Sequence, residues 1–285
     1  MTASSVPGVR LRRVTVNGVG LNVATAGQGP AVLLLHGFPH TWRLWSEVIG
    51  PLARRHRVIA PDLRGFGASD RPADGYDAGT LATDAEALLD ALDAGPAAVV
   101  GIDLGTPPAF LLAMRRPGRV RRLVLMESLL GDLPGADAFL AGGPRGGSAS
   151  TPSPAWRRPC SRGTRRRTSA GSWTGAPSAG GYGRTSVPSW SAPTPEARRC
   201  APRSDRTGPC RSPPGRSGRP WPAPASPSPA LTIGAHPVGG ALERQLRPYA
   251  DRLTGRVIPD CGHIIPLDRP DALLDLLDPF LAADD

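Results

Sequence analysis

The stretch Val99–Pro108, VVGIDLGTPP, decides how this chain is read. A short apolar run ends in Gly101-Ile102-Asp103-Leu104-Gly105, and a helix follows. Small-x-nucleophile-x-small on a tight strand-to-helix turn is the layout of a nucleophile elbow, whose middle position is usually serine. Here it is Asp103. A nucleophile at that position needs three partners: a base, an acid to orient the base, and donors for a developing oxyanion.

Working outward, Val14 to Glu127 alternates between strand and helix patterns. VTVNGVGLNVATAG reads as a hairpin with Asn17-Gly18 at its turn. AVLLLHG and RVIAPD are short apolar runs of the kind found in buried parallel strands. Leu81, Ala85, Leu88, Leu89 and Leu92 share one helical face, and Gly95-Pro96 predicts that helix's end. AAVVGI, PPAFLLAMRR and RRLVLME then read as strand, helix and strand. The pattern resumes with PALTIGA as a strand, ALERQLRPYADRL as a helix, GRVIPD as a strand and RPDALLDLLDPFLA as a closing helix. Such a βαβ series predicts an α/β fold with a mostly parallel sheet and helices on both faces.

The partners of Asp103 can be sought along this series. LLLHGFPHTW supplies a donor loop, in which the backbone N–H of Phe38 pairs with that of Leu104 to form an oxyanion hole. His36, Gly37 and Pro39 are read as structural support for that loop. DCGHIIP places His263 between the last strand and the last helix, as the base. The segment ALTIGAHPVGG holds no carboxylate, so the acid is assigned to Glu127, at the carboxyl end of RRLVLME and 24 residues after Asp103. Catalytic groups in open α/β sheets gather at the carboxyl ends of strands. Asp260 is a rival that reads better as a cap of its loop, and His40 and His236 read as plain loop residues.

The middle of the chain has another character. Residues 145–229 hold fifteen arginines against two acidic residues, sixteen prolines, three of the four cysteines and four of the six tryptophans, with Val187 alone from the set Val, Leu, Ile, Met and Phe. The net charge of +10 would ordinarily point to nucleic acid or an anionic membrane. Its confinement to this stretch, with the rest of the chain slightly acidic, argues against both, and the run Arg165 to Arg167 reads as solvated. Too few apolar residues are present to offset chain entropy, which predicts disorder. Yet natural disordered segments are poor in Trp and Cys. The chain has no lysine, which suits a GC-rich gene, and shifted frames of GC-rich DNA spell Arg, Pro, Ser, Gly and Ala. Read from the third base of suitably chosen codons, AWRRPCSRGTRRR becomes L-A-E-T-V-L-E-G-H-E-A-E, a helix-like sequence. A reading-frame shift therefore accounts for the stretch better than a genuine basic insert.

Other signals set bounds. No apolar run approaches the ~20 residues of a membrane span. MTASSVPGVRLRR lacks the apolar core of a secretory signal, so a cytoplasmic location is expected. The cysteine spacing suggests neither a disulfide framework nor a zinc site.

HGFP, VIAPDLRGFGASDRP, Gly-x-Asp-x-Gly, RVRRLVLME and DCGHIIP together resemble the α/β-hydrolase superfamily, in its epoxide hydrolase and haloalkane dehalogenase branch. HGFP with a glutamate after the sixth strand is similar to a bacterial epoxide hydrolase subgroup with an Asp-Glu-His triad. The resemblance covers residues 1–143 and 230–285 as the two parts of the hydrolase core, and implies that 144–229 occupies the position of a cap inserted after the sixth strand. It also implies a cofactor-independent reaction on a small-molecule substrate: Asp103 opens an epoxide to give an alkyl ester, and His263, backed by Glu127, activates the water that releases a diol. Relatives that cleave carbon–halogen bonds often carry Trp or Arg after the nucleophile; Leu104 leans toward an epoxide, with dehalogenation as the alternative. Cap-domain Tyr or His residues protonate the ring oxygen in such enzymes, whereas 145–229 offers only Tyr182. A further alternative is a catalytically impaired, frame-shifted product with a basic insert.

Overall fold

Asn17 and Gly18 both take positive φ, 46° and 75°, the backbone that a two-residue hairpin turn requires. They turn β2 (Arg10–Val16) back onto β3 (Val19–Ala26), with Val16 opposite Val19. The computed structural model describes residues 2–3, 6–131, 133 and 228–283. Apart from Ser228 and Pro229, the insert read at 144–229, with Tyr182 and Arg165 to Arg167, lies outside the described residues.

Nine strands of the described residues form one sheet in the order β1-β2-β3-β5-β4-β6-β7-β8-β9. The others are β1 (Thr2–Ala3), β4 (Ala31–Leu35), β5 (Arg57–Pro61), β6 (Ala97–Ile102), β7 (Val120–Met126), β8 (Ala230–Gly234) and β9 (Leu253–Val257). β1 to β3 run antiparallel to their neighbours, and every pairing from β5 to β9 is parallel. The strand that the sequence counts as sixth is the seventh, because Thr2–Ala3 adds a two-residue edge strand.

Alternation along each strand sorts its side chains onto two helical layers. On one face Leu33, Leu35, Val99 and Leu125 pack with α2 (Ala78–Ala91), α3 (Thr106–Arg115) and α4 (Ala241–Leu246). On the other, Val32, Leu34, Val100 and Met126 pack with α1 (Ser46–Leu52), α5 (Ile265–Asp268) and α6 (Pro270–Ala282). A sheet covered on both faces explains why its strands are continuous apolar runs.

Two expectations need adjusting. The helix read over ALERQLRPYADRL stops at Leu246, passes through a 3-10 turn at Arg247–Tyr249, and gives way to β9 at Leu253. Arg247 keeps helical backbone, φ −49° and ψ −39°, but Pro248 lacks the N–H a continuing helix needs. Helix α2 ends at Ala91, ahead of the Gly95-Pro96 stop, and Gly95 itself takes φ 58° in the connection to β6.

One ion pair is fully enclosed. Arg64 Nε and Nη2 reach Asp84 Oδ2 and Oδ1 at 2.5 and 2.6 Å, and both side chains are 5% exposed. Asn17 Nδ2 donates to the same Oδ1 at 2.8 Å, so α2, the loop after β5 and the hairpin turn meet at one carboxylate.

Candidate active site

The elbow is built by close backbone approach. A Cβ on Gly101 would lie 2.3 Å from the Gly105 carbonyl oxygen, and one on Gly105 would lie 2.3 Å from that of Leu35. Neither position tolerates a side chain. Between them Asp103 takes φ 51°, a left-handed conformation that lifts its carboxylate off the end of β6 into a 3-10 turn leading to α3. The Thr106 hydroxyl, fully buried, lies 2.8 Å from the Met126 carbonyl and 3.1 Å from that of Gly101, tying the start of α3 to both strands.

Two elements meet that carboxylate, and a third backs one of them. Phe38 N–H, in the loop after β4, donates to Asp103 Oδ1 at 2.7 Å. A Cβ on Gly37 would stand 2.6 Å from that of Asp103, so only glycine lets this loop come so close. His263, after β9, places Nε2 3.0 Å from Asp103 Oδ2. Its Nδ1 lies 3.1 Å from Glu127 Oε2. Glu127 stands one residue beyond β7, at φ 46°, and its Oε1 accepts from Ala235 N–H at 2.5 Å. The exposures divide the labour: the Asp103 side chain is 29% exposed and that of His263 34%, whereas Glu127 is sealed at 0%. Burial pushes the Glu127 carboxyl above the usual carboxylate range, opposed by the Ala235 N–H and by His263.

The supporting residues take distinct places. His36 is fully buried; its Nδ1 lies 2.9 Å from the Gly37 carbonyl, and its Nε2 accepts from Leu63 N–H at 3.0 Å. Those two contacts fix a neutral ring with its proton on Nδ1, and burial lowers its proton affinity. Pro39 follows a cis peptide bond in the same loop, and the Phe38 ring stands 65% exposed. Leu104 is half-buried at the start of the elbow turn, immediately after Asp103. Asp260, expected to cap its loop, contributes its carbonyl, which accepts from Arg269 Nε and Nη2 at 3.1 and 2.9 Å. The carboxylate that holds the His263 loop is Asp268, whose Oδ2 accepts from Gly262 N–H at 3.0 Å. His236 is exposed and His40 half-buried, and neither joins the three-residue chain.

One residue escaped the sequence reading. The Asp62 carboxylate accepts from Trp42 N–H at 2.8 Å and from Asn22 Nδ2 and Ala68 N–H at 2.9 Å each. It thereby fastens the far end of the donor loop to β3 and to the loop after β5. Gly67, at φ 50°, makes room for it: a Cβ there would overlap that carboxylate.

Among the described residues no group of three or more His, Cys, Asp and Glu side chains is placed to hold a metal ion. No described helix is long and apolar enough to cross a membrane. The arrangement is a solvent-reachable carboxylate beside an imidazole, with a sealed carboxylate behind it and a backbone donor in front.

Comparison with known proteins gives three findings. Residues 30–158 match the family described as the alpha/beta hydrolase fold. The chain is 40% identical over 124 residues to the soluble epoxide hydrolase of Corynebacterium sp. (strain C12), covering 44% of this chain and 43% of that protein. It is 41% identical over 121 residues to the 2-hydroxymuconate semialdehyde hydrolase of Pseudomonas sp. (strain CF600), covering 41% and 43%. In each case the match spans less than half of the curated relative's length. Among solved structures, an epoxide hydrolase from an endophytic Streptomyces superposes with a TM-score of 0.64 at 19% identity, over 96% of both chains, a likeness of fold.

Proposed function

The chain belongs to the α/β-hydrolase superfamily, with matched relatives in its epoxide hydrolase branch, and from that premise we propose that it hydrolyses an epoxide to a vicinal diol through an ester on Asp103. The observation that carries this reading is the chain Asp103–His263–Glu127, with contacts of 3.0 and 3.1 Å. A serine at the elbow would rely on the histidine to activate it; a carboxylate is already charged and attacks unaided. In the first step an Asp103 oxygen forms a bond to a ring carbon, the carbon–oxygen bond of the ring breaks, and the ring oxygen takes up a proton.

The second step uses the histidine. With the Nδ1 proton directed at Glu127, Nε2 presents its lone pair to a water beside the ester. Water adds to the ester carbonyl carbon as Nε2 takes its proton, and the oxyanion forms where the Phe38 N–H already points. We assign the Leu104 N–H as the second donor. Collapse breaks the bond between the carbonyl carbon and the alkoxide oxygen. The alkoxide takes the proton from Nε2 and leaves as the diol. Asp103, left as the acid, releases water's second proton, which balances the one taken up by the ring oxygen. Glu127 stabilises the imidazolium in between, and its seal from solvent keeps that interaction unscreened.

The test is a trapped intermediate. The full-length His263→Ala chain, incubated with styrene oxide, should gain the mass of one epoxide on the peptide containing Asp103, and a second change, Asp103→Asn, should abolish the gain. No adduct with the epoxide, an adduct with a haloalkane alone, or one that survives Asp103→Asn would each overturn the reading.

A further inference from the structure

At the end of the sheet away from the elbow, three arginines line one cavity, and none of its described lining residues is acidic. Arg10 and Arg12 are two apart on β2 and so share a face; Thr25 pairs with Arg10, and Ile59, which pairs with Thr25, lies two residues beyond Arg57 on β5. All three guanidinium-bearing residues line one cavity of about 330 Å³, together with Gly8, Thr25 and Gly27. No carboxylate is among its lining residues. Arg12 Nε is buried there without a hydrogen-bond partner. Arg57 is held in place by donating to the Leu92 and Asp93 carbonyls, at 2.6 and 3.3 Å, just past the end of α2.

We propose that Arg10, Arg12 and Arg57 form a binding site for a tetrahedral dianion, the phosphate group of a small phosphorylated molecule. Clustered cations ordinarily have a carboxylate beside them, because like charges at close range repel; here Arg12 and Arg57 are half-buried and Arg10 is exposed at the rim. Burial and the Arg57 charge both weaken the hold of Arg12 on its proton. An anion between the guanidiniums reverses both effects and supplies the acceptor that Arg12 Nε lacks. Guanidinium groups match phosphate oxygens in paired, parallel hydrogen bonds. The cavity is larger than a phosphate and falls at the lower end of the range for small-molecule sites, so room remains for an attached organic group.

Equilibrium dialysis of radiolabelled inorganic phosphate against the full chain tests the site. Saturable binding of one equivalent is expected, displaced by sulfate, which shares its charge and shape, and not by chloride at equal ionic strength. Arg12→Gln should weaken binding about tenfold or more, the effect of removing a hydrogen bond to a charged group. Arg10→Gln, on an exposed side chain that folding does not need, should weaken it as well. Absence of saturable binding, displacement by chloride, or unchanged affinity in either variant would overturn the proposal.

Discussion

In the proposed mechanism Glu127 serves chemistry against the interest of the fold. Its carboxylate is sealed, its proton affinity is raised by burial, and its backbone is left-handed. Replacing it by glutamine keeps an acceptor for the Ala235 N–H and removes the buried charge. Glu127→Gln is therefore expected to leave the urea denaturation midpoint at pH 7.5 level or higher. Release of the proposed Asp103 ester should slow by up to about 10²- to 10⁴-fold, the range contributed by the general base His263 that Glu127 orients, while ester formation is little changed. Rapid quench during turnover, followed by mass measurement, separates the two steps. The residues of this site differ in how they could be recognised. Asp103 and His263 stand in short motifs, GIDLG and DCGHIIP, so the sequence itself singles them out. Glu127 has no motif of its own and is identified by position, one residue past a strand. Asp62 was invisible because a carboxylate among Arg, Gly and Ser reads as a solvated loop residue, and only the folded chain brings Asn22 and Trp42 to it.

At the scale of elements, the elbow works as a joint between β6, α3 and β7, and the Thr106 hydroxyl pins it. Thr106→Val leaves the Gly101 and Met126 carbonyls without that donor in a site water does not reach. It should lower stability by about 1–3 kcal/mol, measured by urea unfolding, with Thr106→Ser restoring most of the loss. The strands were legible because a sheet covered on both faces demands apolar runs, and AVLLL, AAVVGI and ALTIG answer that demand. The region from Ala241 to Val257 was harder. Leu242, Leu246 and Tyr249 keep a helical spacing that Pro248 interrupts, while β9 is an edge strand of mostly part-exposed or exposed residues, LTGRV, with little apolar signal.

For the whole molecule, two buried histidines set the response to acid. His36 and His56 both hold protons less tightly than usual, through burial in each case and, for His56, the charge of Arg121 as well. Their folded values lie below the unfolded value of about 6.5, so the unfolded chain takes up protons first as pH falls. The stability they confer is complete above that value and is lost on acidification through it, with a slope of at most about 1.4 kcal/mol per pH unit for each histidine. Glu127 acts in the opposite sense, since its raised value disfavours the folded state as pH rises past about 4.3. Unfolding midpoints in urea should therefore fall between pH 7.5 and 5.5, and His36→Gln should make that fall shallower. A midpoint independent of pH over this range would refute it. At the same scale, the frame-shift reading of 144–229 is tested at the gene: a single-base insertion and a compensating deletion near codons 144 and 229 should restore a helix-rich reading, and a nucleotide sequence that allows no such pair would overturn it.

The left-handed backbone at Asp103 and Glu127 has an evolutionary corollary. Such a conformation costs most residues about 1–2 kcal/mol, glycine almost nothing, and asparagine or aspartate little. The strain therefore falls on Glu127 far more than on Asp103, and selection for folding alone would favour glycine or asparagine at 127. A copy of this gene released from the proposed catalytic duty would be expected to lose its acid there first, gaining robustness in the exchange. Descendants could then be sorted by position 127 into those that keep the proposed triad and those kept as scaffolds.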